Sequence, residues 1–282
     1  MECKVRDITI YYEEAGLGRP LLMLHGGGLD HRHMQNDMEP LFTSRARWRR
    51  IYPDLPGMGK THAADWITHQ DHMLDVVLEF IDAVAPGERF AVAGISYGGY
   101  LARGVVNRRR AQIDGLLLIV PVIEPDKKKR ILPKHQVLRD DEGFLAALAP
   151  NEELLRELVV VQSLGLLMQQ RNSIIPAIAD ADQEFLKRLE ANCTFTFDVD
   201  ALPEPFPAPS LFLTGRFDHW CGYRDAYRIL DNYPRATFAI LDRAGHALTY
   251  EQNILFKALV SDWLDRVEEY AFKNTQGLGA NC

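Results

Sequence analysis

Ser96 lies in the pattern Gly-x-Ser-x-Gly, in which a serine hydroxyl can act as a nucleophile. The apolar run 88–93 before it favours a buried strand, and residues 100–106 have the spacing of a packed helix. A sharp turn between strand and helix would lift the hydroxyl clear of the sheet. Gly94 and Gly98 would permit that turn because they have no Cβ. The pattern therefore predicts an exposed nucleophile at a helix N-terminus.

Two further side chains could complete the chemistry of Ser96. Asp218 and His246 each come shortly after an apolar run that predicts a strand. Since parallel strands end at one edge of a sheet, the three side chains are expected to gather there. The imidazole could accept the serine proton, and the carboxylate could orient the imidazole. Glu124 and Asp126, which follow an earlier strand-like run, are the alternative acids.

A glycine-rich turn supplies candidate donors for a negatively charged oxygen. Residues 25–28, His-Gly-Gly-Gly, directly follow the apolar run 20–24. Backbone N–H groups in such a turn can approach a reacting carbonyl closely. We expect Gly27 or Gly28 to share this role with the N–H of Tyr97, and the sequence leaves the choice of glycine open.

These segments together resemble the α/β-hydrolase fold, and the resemblance spans nearly the whole chain. It implies a serine hydrolase that acts on a small molecule through Ser96, Asp218 and His246, and that needs no metal or organic cofactor. It is specific for the fold and triad, not for a substrate. The matching pieces are residues 25–28, 54–59, 94–99, 215–218 and 244–246, the last followed by Glu251 and Gln252.

The alternation of strand-like and helix-like runs predicts an α/β protein with a doubly wound, mostly parallel sheet. Residues 1–121 and 206–273 are assigned to this core. Residues 122–205 contain helical patterns and are interpreted as an inserted helical cap. The polar, glycine-rich residues 274–282 are predicted to form a mobile tail.

The type of bond that is cleaved stays open at this level. A carboxylic ester is the broadest expectation for a capped serine hydrolase. Hydrolysis of a carbon–carbon bond in a vinylogous diketone and removal of N-terminal proline are alternatives that use the same triad. A ligand receptor that uses the fold without catalysis is a further alternative. A haloalkane dehalogenase is disfavoured because its nucleophile is a carboxylate, whereas the turn here carries Ser96.

The amino-acid composition limits the classes of partner and the cellular location that we expect. The 282 residues include 32 basic and 39 acidic side chains, and the net charge of −7 argues against a nucleic-acid surface. No apolar run approaches the roughly 20 residues that a membrane-spanning helix needs. The N-terminus does not resemble a signal peptide, and the four separated cysteines are interpreted as free thiols, which favours the cytoplasm. No pattern points to a particular oligomeric state.

Several other residues have plausible but simpler interpretations. His31 and His33 could suggest a metal site, but they are better explained as surface histidines or as residues at a site entrance, so no metal is predicted. Residues 59–61, Gly-Lys-Thr, lack the earlier glycine of a phosphate-binding loop, since Asp54 stands there. Candidates for an apolar lining in the cap, most of them expected to pack helices together, are Phe144, Leu145, Leu164, Leu167, Met168 and Ile174.

Overall fold

A single mixed sheet organises the protein, whose computed structural model describes residues 1–279. The strands are β1 (Glu2–Val5), β2 (Ile8–Ala15), β3 (Arg19–Leu24), β4 (Trp48–Pro53), β5 (Phe90–Ile95), β6 (Ile113–Ile119), β7 (Ser210–Gly215) and β8 (Ala236–Leu241). Their spatial order is β1-β2-β4-β3-β5-β6-β7-β8. Strand β2 runs antiparallel to both of its neighbours, and all the other pairs are parallel. The predicted fold class is confirmed.

Helices alternate with the strands and cover both faces of the sheet. They are α1 (His31–Met38), α2 (Gln70–Val84), α3 (Tyr97–Arg109), α4 (Glu142–Ala147), α5 (Glu153–Leu158), α6 (Leu164–Asp180), α7 (Gln183–Ala191), α8 (Arg224–Arg228), α9 (Leu248–Glu251) and α10 (Asn253–Gly279). In the described residues, no helix is both long enough and apolar enough to cross a lipid bilayer.

Side-chain alternation along the central strands divides the core into two layers. On β3, Leu22 and Leu24 pack with residues of α2 and α3 on one face. Leu21 and Met23 point to the opposite face, where they pack with residues of α1 and α10. All four side chains are almost completely buried. A strand buried on both faces is typical of a doubly wound sheet, and it places the ends of β3 and β5 side by side.

The segment between β6 and β7 forms a separate helical layer. It contains α4, α5, α6 and α7, and no strand of the sheet. Its own apolar cluster includes Phe144, Leu155 and Leu167, which are fully buried. Ala247, next to the candidate catalytic histidine, also belongs to this cluster. The helical segment therefore packs directly against the edge of the sheet that carries the candidate site.

The C-terminal helix extends further than the sequence indicates. Helix α10 continues to Gly279, so residues 274–279 of the tail predicted as mobile, 274–282, are helical. The rest of that prediction, residues 280–282, lies outside the described part of the chain. Extension of an existing helix costs much less than starting one, because each added residue gains a hydrogen bond without a new nucleus. A polar, glycine-containing stretch can therefore continue a long helix.

Candidate active site

Ser96 occupies a strained turn between β5 and α3. Its φ of 53° and ψ of −115° place a non-glycine residue at positive φ. The Ser96 N–H donates to the Ile119 carbonyl at 2.9 Å, and its carbonyl accepts from the Val122 N–H at 3.0 Å. These bonds to the end of β6 hold the turn in place. Ser96 therefore lies between a strand and a helix, as the sequence predicts.

The glycines on either side of Ser96 are required by close backbone approach. A Cβ on Gly94 would lie 2.2 Å from the Gly98 carbonyl oxygen. A Cβ on Gly98 would lie 2.1 Å from the carbonyl oxygen of Leu24, at the end of β3. Both distances are far below a van der Waals contact. Any side chain at these positions would push α3 away from the sheet.

The structure brings Ser96, His246 and Asp218 into one hydrogen-bonded chain. The Nε2 atom of His246 lies 3.1 Å from Ser96 Oγ, and its Nδ1 atom lies 3.0 Å from Asp218 Oδ2. Asp218 follows β7 and His246 follows β8, so both side chains arise at the sheet edge where β5 ends. This arrangement can transfer the serine proton to the imidazole.

Asp218 is held as an anion. Its carboxylate is fully buried, and Oδ1 accepts the N–H groups of Trp220 at 2.9 Å and Cys221 at 3.0 Å. Burial opposes ionisation, but the charge of His246 and the accepted hydrogen bonds outweigh burial and lower the pKa of Asp218. The alternative acids, Glu124 and Asp126, instead accept backbone N–H groups within their own loop.

His246 is stabilised as a base by its neighbours. Burial of the imidazole would lower its pKa, but the adjacent Asp218 carboxylate raises that pKa above its ordinary value of 6.5. The Trp220 ring stacks on the imidazole with centroids 5.4 Å apart and an interplanar angle of 24°. Stacking on one face and the hydrogen bond at Nδ1 therefore fix the orientation of the His246 imidazole.

Glu251 fixes the loop that carries His246. One carboxylate oxygen accepts the Gly245 N–H at 2.6 Å, and the other accepts the N–H groups of Val160 at 2.6 Å and Val161 at 2.9 Å. The Ala247 N–H also donates to the Leu158 carbonyl at 3.0 Å. The histidine loop is therefore joined to the helical segment between β6 and β7. The sequence shows Glu251 near His246 but gives no sign of these bonds, which connect residues about 90 positions apart.

The two glycines of the predicted oxyanion turn differ in what their N–H groups do. The Gly28 N–H points to Met58 Sδ at 3.2 Å, and Gly28 has a φ of +71°. Among the described residues, the N–H groups of Gly27 and Tyr97 have no protein acceptor. Gly27 and Ser96 line the same cavity, and Gly28 does not. A Cβ on Gly27 would lie 3.4 Å from the Tyr97 Cβ, so the two residues are neighbours.

His25 braces the glycine-rich turn. Its Nε2 atom accepts the Leu55 N–H at 3.0 Å, so the proton resides on Nδ1, which lies 2.8 Å from the Gly26 carbonyl. Burial lowers the pKa of this imidazole, and it is neutral. His25 therefore connects the turn after β3 to the loop after β4.

A cavity of about 100 Å³ opens beside Ser96 and His246. Its apolar wall is built largely by α5, α6 and neighbouring loops, and its polar wall by α1 and α9. Of the six lining candidates from the sequence, only Ile174 lines the cavity; Phe144 and Leu167 pack inside the helical layer, and the other three are exposed. The lining residues are Gly26, Gly27, Leu29, His33, Ile95, Ser96, Leu154, Leu158, Ile174, Ile178, Trp220, His246, Ala247, Thr249 and Tyr250.

The acidic and histidine residues near α1 have structural partners. Asp54 Oδ1 lies 2.8 Å from both the backbone N–H and the Nδ1 atom of His31, and its Oδ2 accepts the Lys60 N–H at 2.9 Å. Asp30 caps α1 by accepting the Arg32 N–H, and it pairs with the Arg32 guanidinium. These hydrogen bonds give each of the two carboxylates a structural role.

Comparison with known proteins identifies the class. Residues 21–257 match the alpha/beta hydrolase family, and the chain belongs to that family and is a hydrolase. It is 30% identical over 278 residues to a pimeloyl-[acyl-carrier protein] methyl ester esterase of Legionella pneumophila, covering 91% of this chain and all of that protein. It is 24% identical to a 2-hydroxy-6-oxononadienedioate/2-hydroxy-6-oxononatrienedioate hydrolase of Cupriavidus pinatubonensis, covering 92% and 91%.

A solved structure shows the same architecture. The alpha/beta superfamily hydrolase from Oenococcus oeni has a TM-score of 0.85 and 28% sequence identity, with 95% of this chain and 99% of that chain covered. The family expected from the sequence motifs is therefore confirmed.

Proposed function

We propose that the protein is a serine hydrolase that cleaves small carboxylic esters through Ser96, His246 and Asp218. The observation that carries the proposal is the continuous path from Ser96 Oγ through the imidazole to Asp218, with separations of 3.1 and 3.0 Å. A structural serine in a tight turn would need neither partner. The strained backbone of Ser96 supports the same role, because such strain persists at functional sites.

The first step is acyl transfer to the enzyme. His246 Nε2 removes the proton from Ser96 Oγ as that oxygen forms a bond to the ester carbonyl carbon. The imidazolium is stabilised by the Asp218 carboxylate, which stays ionised. Collapse of the tetrahedral intermediate breaks the bond to the alcohol, and His246 donates the proton to the departing oxygen. The product is an ester of Ser96.

We assign the oxyanion donors to the backbone N–H groups of Gly27 and Tyr97. Both are free of protein acceptors among the described residues, whereas the Gly28 N–H is directed to Met58. Tyr97 is also the first residue of α3, where the helix dipole favours negative charge. Each such donor is typically worth about 3–4 kcal/mol in the barrier. Gly28 then serves the turn through its positive φ.

The second step releases the acid. His246, again neutral, removes a proton from water as the water oxygen attacks the acyl carbonyl carbon. Breakdown of this intermediate returns the proton to Ser96 Oγ and frees the carboxylic acid. His246 accepts and donates the proton in both steps, and Ser96 Oγ regains its proton at the end.

The cavity supports a small substrate. Its volume of about 100 Å³ is below the ~150 Å³ of an engineered apolar cavity that holds benzene. We propose that residues 122–205 act as a cap, because Leu154, Leu158 and Ile174 from this segment line the cavity. The relative from Legionella is named as a methyl ester esterase. The alcohol group of a methyl ester is small, which agrees with a small cavity beside Ser96.

Hydrolysis of a carbon–carbon bond is a second candidate. It is favoured by relatives named as hydrolases of oxo-dienoic acids, which are 23–24% identical to this chain. No observation favours an aminopeptidase. We also propose that the protein is cytoplasmic and that its partner is a small-molecule substrate rather than nucleic acid or a membrane. The free thiols of Cys3, Cys193 and Cys221 support a cytoplasmic setting.

Turnover of p-nitrophenyl esters of graded acyl length tests the proposal. We expect hydrolysis of the shortest acyl groups, a steep decline with longer ones, and no enzymatic turnover in Ser96→Ala. The matched control is Ser44→Ala, since Ser44 is exposed and far along the chain from the site. Equal activity in Ser96→Ala and wild type would remove Ser96 as the nucleophile. Turnover of a vinylogous diketone with no ester turnover would favour the second candidate.

A further inference from the structure

The polar wall of the cavity contains one side chain that the proposed mechanism does not use and that has no protein partner. Besides Ser96 and His246, the hydrogen-bonding side chains of the lining are His33, Thr249, Tyr250 and Trp220. The Tyr250 hydroxyl lies 3.0 Å from Ser173 Oγ, and Thr249 lies close enough to the Asp37 carboxyl to lower its pKa. Trp220 is committed to stacking on His246. Among the described residues, His33 is therefore the side chain of this wall that has no assigned partner or role.

His33 is buried without a hydrogen bond. Its side chain is 7% exposed, and Nδ1 is completely shielded with no partner among the described residues. A buried polar atom without a partner costs free energy, so native proteins rarely keep one unless something else bonds to it. The residue lies in α1, one turn before Asp37, whose Oδ2 atom is also buried without a partner in the described part of the chain but does not line the cavity. The free imidazole is thus a feature of the cavity.

The position of His33 is close to the reacting atoms. A Cβ built on Gly26 would lie 3.8 Å from His33 Nδ1 and 3.7 Å from the Ser96 Cβ. The imidazole and the nucleophile therefore face each other across the narrow space beside Gly26. A substrate group that hydrogen-bonds the part of this imidazole that lines the cavity must lie only a short distance from the carbonyl that Ser96 attacks.

The charge state of His33 restricts what it can bind. Burial, together with the nearby His25 and His246 imidazoles, lowers the pKa of His33 to about 3. The ring is neutral, so it offers one N–H donor and one acceptor but no positive charge. A carboxylate or phosphate would be buried here without a counter-charge, at high cost. An uncharged oxygen is the complementary group.

We propose that His33 is a specificity-determining residue that hydrogen-bonds an uncharged hydroxyl or oxo group of the substrate, placed within about two carbons of the scissile carbonyl. This inference rests on the proposed serine hydrolase function. It narrows the substrate class from small esters to small esters that carry a second oxygen near the reacting end. The apolar wall of α5 and α6 would hold the remaining carbon chain.

Matched ester pairs test this assignment. One pair differs by a hydroxyl on the acyl chain, p-nitrophenyl 3-hydroxybutyrate against p-nitrophenyl butyrate. The other differs by a hydroxyl on the alcohol, 2-hydroxyethyl acetate against ethyl acetate. The readout is the ratio of kcat/KM values within each pair, measured for wild type, His33→Leu, His33→Asn and the control His62→Leu, whose side chain is exposed. Circular dichroism and Tm establish that each variant is folded.

We expect wild type to prefer the hydroxylated member of at least one pair by about 5-fold or more, the usual effect of one hydrogen bond. His33→Leu should abolish or invert that preference, and His62→Leu should keep it. His33→Asn should restore part of it, because an amide, like a neutral imidazole, can both donate and accept a hydrogen bond. A ratio that His33→Leu leaves unchanged in both pairs overturns the inference. Failure of wild type to hydrolyse any of the four esters would instead overturn the proposed function, so the two failures are distinguishable.

Discussion

At the scale of single residues, the site depends on three side chains whose charges support one another. The Asp218 carboxylate is kept ionised in a buried place by two backbone N–H groups and by His246. In return, the carboxylate raises the affinity of His246 for a proton. A more basic imidazole is a better acceptor for the Ser96 proton, but it must be unprotonated to act. The Asp218–His246 pair therefore affects both the rate of the reaction and the dependence of that rate on pH.

Replacement of the acid tests this linkage. Since His246 must be neutral, kcat/KM should rise with pH as the imidazole loses its proton, with a midpoint above the ordinary 6.5. Asp218→Asn removes the carboxylate that raises the pKa and leaves the burial that lowers it, so the midpoint should move to lower pH. The limiting rate should fall by roughly 10⁴-fold. Initial rates with p-nitrophenyl acetate, corrected for spontaneous hydrolysis, measure both effects when the pH range extends from well below 6.5 to well above it.

The control for this prediction is Asp126→Asn, which changes an exposed carboxylate that pairs only within its own loop. It should keep the wild-type rate and midpoint. An Asp218→Asn enzyme with the wild-type midpoint would show that the carboxylate does not set the basicity of His246.

Residue types and positions were sufficient to predict that Ser96, Asp218 and His246 come together, because each follows a strand-like run whose end lies at one sheet edge. The choice between Gly27 and Gly28 was not predictable. It depends on Met58, which approaches the Gly28 N–H from a loop 30 residues away. From sequence, His33 was interpreted as a surface histidine or as a residue at a site entrance. The surface interpretation was wrong, because His33 is buried in α1 at the cavity wall, and its lack of a partner is a property of the packed cavity.

At the scale of elements, the site requires very close packing between β3, β5 and α3. A Cβ on Gly98 would lie 2.1 Å from the Leu24 carbonyl oxygen and 2.6 Å from the His25 carbonyl oxygen. Backbone atoms cannot move aside as a flexible side chain can. The turn at Ser96 and the turn at residues 25–28 are thereby held side by side, as the nucleophile and the oxyanion donors need.

Gly98→Ala should therefore damage both stability and catalysis. We expect a loss of about 3 kcal/mol or more in the free energy of unfolding, because overpacking against backbone cannot be relieved locally. Urea unfolding followed by circular dichroism measures this loss. The matched control is Gly165→Ala in α6, where nothing lies within 4 Å of the new Cβ and stability should be equal or slightly higher. A Gly98→Ala protein as stable as Gly165→Ala would contradict the close packing.

Apolar runs and their period were sufficient to predict the sheet and the helices that flank it. They were insufficient at the C-terminus, where they did not predict that α10 continues to Gly279, into the residues predicted as a mobile tail. Composition describes the preference of isolated residues, whereas a helix that is already formed extends at little cost.

At the scale of the whole molecule, one buried arginine joins the core to both ends of the helical segment. The Arg103 guanidinium, in α3, donates to the Val122 and Ile123 carbonyls at 3.1 and 3.0 Å, where the segment begins. It also donates to Asp200 Oδ1 at 3.1 Å, near where the segment ends. Helix α3, which directly follows Ser96, therefore anchors the base of the proposed cap. The Arg103 side chain is fully buried.

Arg103→Met should destabilise the protein by roughly 3 kcal/mol, because it leaves two carbonyls and the Asp200 carboxylate without their donor. The proposed cap should also loosen, which would raise KM for short esters more than it lowers kcat. Thermal unfolding and steady-state kinetics measure the two effects. Arg109→Met is the control: it lies on the same helix, and its pair with Asp82 is at the surface and worth little. Equal Tm values for the two variants would refute this role of Arg103.

The lining of the cavity could not be read from the sequence for a related reason. The helices of the inserted segment are individually recognisable, but their faces are assigned only by packing against one another and against Ala247. Ile174 was among the candidates, whereas Leu154 and Leu158 were missed since α5 is too short for a clear period. Bonds such as those of Glu251 to Val160 and Val161 fix this placement from far along the chain.

The central claim is that Ser96 is an activated nucleophile, and covalent labelling tests it most directly. A fluorophosphonate should react with the folded wild-type protein, peptide mass spectrometry should place the single label on Ser96, and ester turnover should be lost in proportion to labelling. Ser96→Ala should remain folded and unlabelled. A folded wild-type protein that takes no label, or one that is labelled elsewhere and keeps its turnover, would contradict the account.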